Sequence, residues 1–125
     1  LEQYPQEKAK HCGGSIANTC ALIANFGKPC FLQCKLVNDE AGHFYFDELK
    51  KLKIKTLDFV ESFNLHTGHC LVFVTPDGER TMQTYLGVSH QFVPKDFKFN
   101  LIEQCEYLLL ESYLFSQPNI FSLIQ

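Results

Sequence analysis

No stretch of this chain approaches the roughly 18 consecutive apolar residues that would suggest a helix crossing a bilayer. The opening residues Leu1-Glu2-Gln3-Tyr4-Pro5 have neither the basic nor the apolar segment of a secretory leader. A membrane partner is therefore not expected. Basic charge is sparse as well: 11 Lys and Arg stand against 14 Asp and Glu, and they are scattered except for Lys50, Lys51, Lys53 and Lys55. Without a basic field, nucleic acid is not expected as a partner either, and the short lysine run belongs at a solvated helix end. Tryptophan is absent, so the 12 phenylalanines are assigned to the one modest core that 125 residues of 46% hydrophobic content can bury. Internal repeats and low-complexity segments are also missing.

The cysteines Cys12, Cys20, Cys30, Cys34, Cys70 and Cys105 lie in apolar segments without the density of a disulfide scaffold. They read as reduced, mostly buried thiols of a cytoplasmic protein. Cys30 and Cys34 would share a strand face, yet no second Cys or His pair at metal-ligand spacing accompanies them. His11, His66 and His69 fall in loops with no carboxylate partner evident, and Cys70 has no clear positive field beside it. No metal site is expected.

Along the chain, Gly13-Gly14 precedes Ser15 and a helical pattern (Ile16, Ala17, Cys20, Ile23, Ala24) that ends at Gly27, with Ser15 the expected N-cap. The apolar stretch from Cys30 to Val37 reads as a buried strand. A helix follows from about Asp39 to Lys53, burying Phe44, Tyr45, Leu49 and Leu52. From Leu57 the period changes to two, through Phe59, Glu61 and Phe63 and then Leu71 to Val74. Thr75-Pro76-Asp77-Gly78-Glu79 is a tight turn, and Arg80 to Leu86 returns antiparallel, so residues 57–87 are expected to form a half-exposed sheet. After a Pro94-Lys95-Asp96 turn and a short helical stretch, Glu106 to Leu114 reads as another buried strand. The whole is an α/β fold: a partial parallel sheet core with an inserted antiparallel β lid. The start at Leu1 and the uncapped helical pattern from Pro118 to Gln125 read as the limits of a fragment.

The glycine pair has chemical meaning of its own, since it lets a ligand approach the backbone where the next helix offers free N–H groups. Asn18, one turn on, could both donate to and accept from vicinal hydroxyls. On local sequence alone, a simple turn and a surface asparagine remain the alternative.

Several blocks in register carry more. Gly13-Gly14-Ser15-Ile16-Ala17-Asn18-Thr19, then Phe26-Gly27, Lys35 and Asn38-Asp39-Glu40-Ala41-Gly42, follow the order and spacing of the ribokinase-like (PfkB) kinase signature, which the chain resembles over almost its whole length. Thr67-Gly68-His69-Cys70-Leu71-Val72 and Thr75 to Gly87 resemble the lid strands of adenosine-kinase-like and fructokinase-like members. The resemblance implies that Gly14, Ser15 and Asn18 hold sugar hydroxyls while Gly13 keeps the loop able to close. Cys70, Met82, Thr84 and Leu86 would face the substrate from the lid, and Glu111, in a segment resembling the family's Glu-Gly-Tyr, would bind a sugar hydroxyl or else simply cap a strand. The acceptor would be a small-molecule sugar or nucleoside, and the lid could pair with a second copy in a homodimer.

Ile16, Val37 and Ser112 depart from the family's smaller residues and would narrow the pocket. The family's substrate-binding Asp before the glycine pair and its later Gly-Ala-Gly-Asp loop do not occur in these 125 residues. That loop supplies the catalytic base, so ATP and Mg²⁺ are cofactors expected of the full-length kinase, and no catalytic residue or activity is expected of this chain alone. The favoured reading is the substrate side of an adenosine-kinase-like enzyme; a fructokinase- or ribokinase-type kinase and a non-catalytic sugar-binding relative are the alternatives.

Overall fold

The computed structural model describes residues 9–111, 114 and 115. Its first element, helix α1 (Ser15–Asn25), begins at Gly14, which has φ 100° and ψ 134° and whose carbonyl accepts the first helical bond, from Asn18 N at 2.9 Å. The cap is therefore Gly14 and not Ser15, whose side chain makes no capping bond. A left-handed φ at the entry suits glycine, which has no Cβ to clash. At the far end Gly27 (φ 74°) turns the chain, its N–H bonding Ala24 O at 2.9 Å.

Strand β1 (Phe31–Leu32) pairs in parallel with β2 (Lys55–Thr56), and helix α2 (Glu40–Lys51) makes the crossover between them. The apolar stretch expected as one strand is interrupted. Only Phe31 and Leu32 hold strand geometry, and the ladder resumes as a single parallel bridge between Val37 and Val60. Val60 thus belongs beside the core, Phe59 stacks on His43 and Phe46 of α2, and Phe63 is 97% exposed. The alternation of Phe59, Glu61 and Phe63 does not mark a lid strand. Ala17 and Cys20 of α1, Leu32, Leu49 of α2 and Ile54 form the central cluster, and Tyr45 packs partly against it. Phe44 is half-buried and Leu52 is exposed, because α2 turns only one stripe toward α1 and the sheet. Lys50, Lys51 and Lys53 lie at its solvated end as expected.

The lid is a two-stranded antiparallel hairpin, β3 (His69–Val74) and β4 (Arg80–Tyr85), narrower than residues 57–87. Its turn closes through Gly78 N to Thr75 O at 2.9 Å, with Gly78 at φ 86° and the Asp77 carboxylate accepting from the Thr75 hydroxyl. Both faces of the hairpin are exposed, not one. Beyond it, the 3₁₀ turns Gly87–Gln91 and Pro94–Asp96 lead to the short helix α3 (Phe99–Ile102). Lys35 ties this return to the core, bonding Gln91 O at 2.7 Å and Asp96 Oδ2 at 2.6 Å, while Gln33 and Lys98 exchange a side-chain-to-backbone pair. The strand expected from Glu106 is not formed: Glu106 to Leu109 are exposed, and Leu114 and Phe115 lie in a 3₁₀ turn. An apolar strand needs neighbours on both edges and faces, and none of the described strands lies beside it. Ser112, Tyr113 and the helical pattern from Pro118 lie outside the described residues.

Core and lid meet at Asp39. Its side chain caps α2, accepting from Gly42 N at 2.7 Å, and its second oxygen accepts from Thr67 N at 2.8 Å, just before β3. Thr67, 3% exposed, also accepts from Val37 N at 3.0 Å through its hydroxyl. His66 Nδ1 lies 3.6 Å from Asp39 Oδ2, so one loop histidine does have a carboxylate neighbour. Gly42 leaves room for this junction, for a Cβ there would stand 2.0 Å from Val37 O. Burial by itself would raise the Asp39 pKa, but the hydrogen bonds from Thr67 and Gly42 and the nearby His66 outweigh it and hold the carboxyl below its usual range.

Two outcomes follow for a protein carrying this segment. Gly42→Ala is expected to cost about 1–3 kcal/mol in denaturant melts through backbone overpacking. Asp39→Asn leaves an amide N–H facing the Thr67 N–H and is expected to cost about 1–3 kcal/mol at neutral pH. A carboxylate with a depressed folded pKa stabilises fully above its unfolded pKa and loses that contribution as pH falls through the folded value. Melts across an acid series should therefore show the gap between wild type and Asp39→Asn closing as the pH drops; a gap constant with pH would remove the ionised carboxylate from this role.

Candidate functional site

The loop at the start of α1 is the densest group of chemically able residues. Gly13, Gly14 and Ser15 are exposed, and the first-turn N–H groups of α1 have no partner within the helix. No acidic side chain stands in that turn to neutralise its partial positive charge. Asn18 is exposed and lines a cavity of about 240 Å³ between α1 and α2, together with Lys10, His11, Cys12 and Glu48. Lys10 pairs with Glu40 at 2.6 Å. This arrangement can present backbone donors and a side-chain amide to the oxygens of a polyol.

What holds the loop is a residue assigned from sequence only to the core. The Tyr45 hydroxyl of α2 donates to Gly13 O at 2.9 Å, and the Cys12 thiol reaches Tyr45 O at 3.9 Å. Burial, reinforced by the neighbouring Cys34, Cys12 and Cys20 thiols, pushes the phenol pKa above its ordinary value, so it stays a protonated donor. Nothing in the periodicity of α2 distinguishes this tyrosine from a packing residue. The Asp39–Thr67 junction had a sequence signal, an Asp three residues before Gly42 at a helix start, but not one that named Thr67.

The lid residues form a second group. Cys70 pairs across the strands with Thr84, and Val72 with Met82, which puts Cys70, Met82 and Thr84 on one face of the hairpin. The Thr84 hydroxyl donates to Cys70 Sγ at 3.3 Å. Leu86 follows the end of β4 and is exposed, with Val72, Phe73 and Met82 exposed as well. Two glycines bound the hairpin: a Cβ on Gly68 would meet Leu86 O at 2.7 Å, and one on Gly87 (φ 52°) would meet His66 O at 2.1 Å. Glu111 is half-buried and belongs to neither group; its carbonyl accepts from Leu114 N at 3.0 Å.

A larger cleft of about 490 Å³, lined by Lys35, Thr56, Asp58, Lys95 and Asp96 among others, contains none of these residues. Among the described residues no group of three or more His, Cys, Asp or Glu side chains could hold a metal ion, and no helix is long and apolar enough to cross a membrane. No step through Mg²⁺ is assigned to the described residues.

Comparison with known proteins gives these features a context. The sequence profile of the pfkB family of carbohydrate kinases matches residues 2–120. The chain is 28% identical over 86 residues to the ribokinase of Mus musculus, covering 69% of this chain and 27% of that protein. Its structure resembles that of the adenosine kinase of Sinorhizobium meliloti, with a TM-score of 0.77 and 28% identity over 90% of this chain and 34% of that one. An uncharacterized sugar kinase of Pyrococcus horikoshii shares the fold, at a TM-score of 0.76 and 21% identity over 93% of this chain and 38% of its own. The chain thus spans about a quarter to two fifths of the length of these relatives.

All six cysteines are free, but they are not alike: Cys20 is buried, Cys12, Cys30 and Cys34 are half-buried, and Cys70 and Cys105 are exposed. The last two correct the expectation of mostly buried thiols. Burial raises the pKa of Cys12, Cys20, Cys30 and Cys34, which keeps them as unreactive thiols. A maleimide applied to the native protein should therefore modify Cys70 and Cys105 first and Cys20 only after denaturation, as peptide mapping by mass spectrometry would show. Equal labelling of Cys20 in the native state would contradict the packing of α1.

Proposed function

The chain belongs to the pfkB family of carbohydrate kinases, and from that premise we propose that it forms the acceptor-binding and lid part of an ATP-dependent kinase that phosphorylates a hydroxymethyl group of a nucleoside or sugar. The observation that carries this reading is the glycine loop: Gly14 at φ 100° opens α1, with exposed backbone donors beside it and Asn18 one turn along. A polyol acceptor is recognised by such closely spaced donors and acceptors, whereas a transferred phosphoryl group needs a general base and cationic charge as well. Gly13, Gly14, Ser15 and Asn18 therefore take the acceptor hydroxyls. Cys70, Met82, Thr84 and Leu86 cover the acceptor from the lid, which gives their uncovered apolar surface a partner; the lid of a second copy is the other cover they suit. Glu111 contributes a further hydroxyl contact.

The likeness to an adenosine kinase over nine tenths of the chain supports a nucleoside acceptor. The mouse ribokinase match supports the second reading, a ribose-type acceptor at the same loop. Either way, in this reading ATP and Mg²⁺ are held by parts of the kinase outside this stretch, and this chain supplies no catalytic base. Six unpaired thiols suit a reducing, cytoplasmic setting.

In the full-length kinase, Asn18→Ala should weaken the acceptor far more than ATP. Leaving a buried hydroxyl unsatisfied costs about 1–3 kcal/mol, equivalent to about a five- to hundredfold loss of affinity. Separate titrations of adenosine, D-ribose and ATP on both proteins would measure it. Equal losses for acceptor and nucleotide, or a loss confined to ATP, would take Asn18 out of the acceptor site.

A further inference from the structure

A loop of two glycines has no side chains with which to fix its own shape. Around Gly13 a Cβ would meet nothing within 4 Å, and Gly14 sits at a φ that only lack of a side chain makes easy. The contacts that hold this stretch come from α2: Glu40 pairs with Lys10, the Tyr45 carbonyl receives the Cys12 thiol, and the Tyr45 hydroxyl donates to Gly13 O. Helix α2 is itself fixed at its start by the Asp39 cap and along its length by buried Leu49.

The bond to Gly13 O has a directional consequence. No cis peptide bond occurs among the described residues, and in a trans peptide the C=O and the next N–H point in opposite directions. Holding Gly13 O toward α2 therefore turns the Gly14 N–H away from it. Gly14 is exposed, and among the described residues no protein group accepts from that N–H.

We propose that Tyr45 is a positioning residue for the acceptor: its hydroxyl sets the plane of the Gly13–Gly14 peptide so that the Gly14 N–H is presented, already oriented, to a hydroxyl oxygen of the sugar. This deepens the function proposed above and rests on it. The raised pKa of the phenol keeps the donor in place across the physiological range. Without the phenol oxygen the ring still fills its place beside the core, but the peptide is free to rotate.

The test is Tyr45→Phe in the full-length kinase, with Asn18→Ala alongside. Hydrogen exchange is followed at the peptides covering residues 12–16 and at the hairpin 69–85, and adenosine, D-ribose and ATP are titrated separately by calorimetry. The expected result is faster exchange at 12–16 with the hairpin unchanged, and acceptor affinity down about three- to tenfold, the worth of one neutral hydrogen bond, with ATP unchanged. Unchanged exchange at 12–16, or a rise spread evenly over the protein, would overturn the proposal, the latter showing a general loss of stability. Faster local exchange with acceptor affinity intact, while Asn18→Ala weakens the acceptor, would overturn the role of Tyr45 and leave the acceptor site standing. Binding of neither adenosine nor D-ribose by wild type, or binding indifferent to both substitutions, would overturn the acceptor-site reading and this inference together.

Discussion

The carboxylate of Asp39 joins the start of α2 to the base of the lid. One oxygen closes the first turn of α2 on Gly42 N, and the other receives the backbone of Thr67 at the base of the lid. Thr67, nearly without solvent contact, passes the connection on to Val37. Gly42 and Thr67 each supply an N–H to an anion, a stronger class of hydrogen bond than a neutral pair, at a part-buried position. The missing side chain of Gly42 is the steric condition for the whole junction.

From that fixed start, α2 reaches both halves of the candidate site. At one end it anchors the segment that becomes the hairpin; two turns further on it carries Tyr45 to the glycine loop, and then Leu49 into the core. The loop and the lid differ in how they are held. The loop lies against a packed helix, while the hairpin projects with both faces exposed between two glycines that leave no space for a Cβ. The acceptor site proposed above would benefit from this division, because a preformed loop can bind while a separate cover closes over it and excludes water.

The parallel sheet of the described residues is small, and that explains where the apolar surface goes. Leu22 and Ile23 of α1, Phe26 just after it, and Tyr107 to Leu109 remain exposed, although their composition is that of interior segments. The relatives that share this fold are about two and a half to four times longer than the portion matched here. Surface of this kind suits burial against further structure, and the short β1–β2 ladder suits extension by further strands.

Local chemistry made some of this legible in the amino-acid order itself. The Pro-Asp-Gly turn between two β-rich runs specified the hairpin, the glycine pair before a helical pattern specified the loop and α1, and the blocks from Gly13 to Gly87 specified the family. Each of these depends on neighbours within a few residues, or on recognisable order along the chain. Only the tertiary structure decided that Val60 pairs with Val37 rather than joining the lid, that Glu106 to Leu109 form no strand, and that Gly14 and not Ser15 caps α1. It also decided the two contacts on which the site rests, Asp39 with Thr67 across 28 positions and Tyr45 with Gly13 across 32. Parallel pairing and side-chain bonds of that span are set by how α2 packs back across the sheet, and no periodicity within a single segment encodes the partner waiting at the other end.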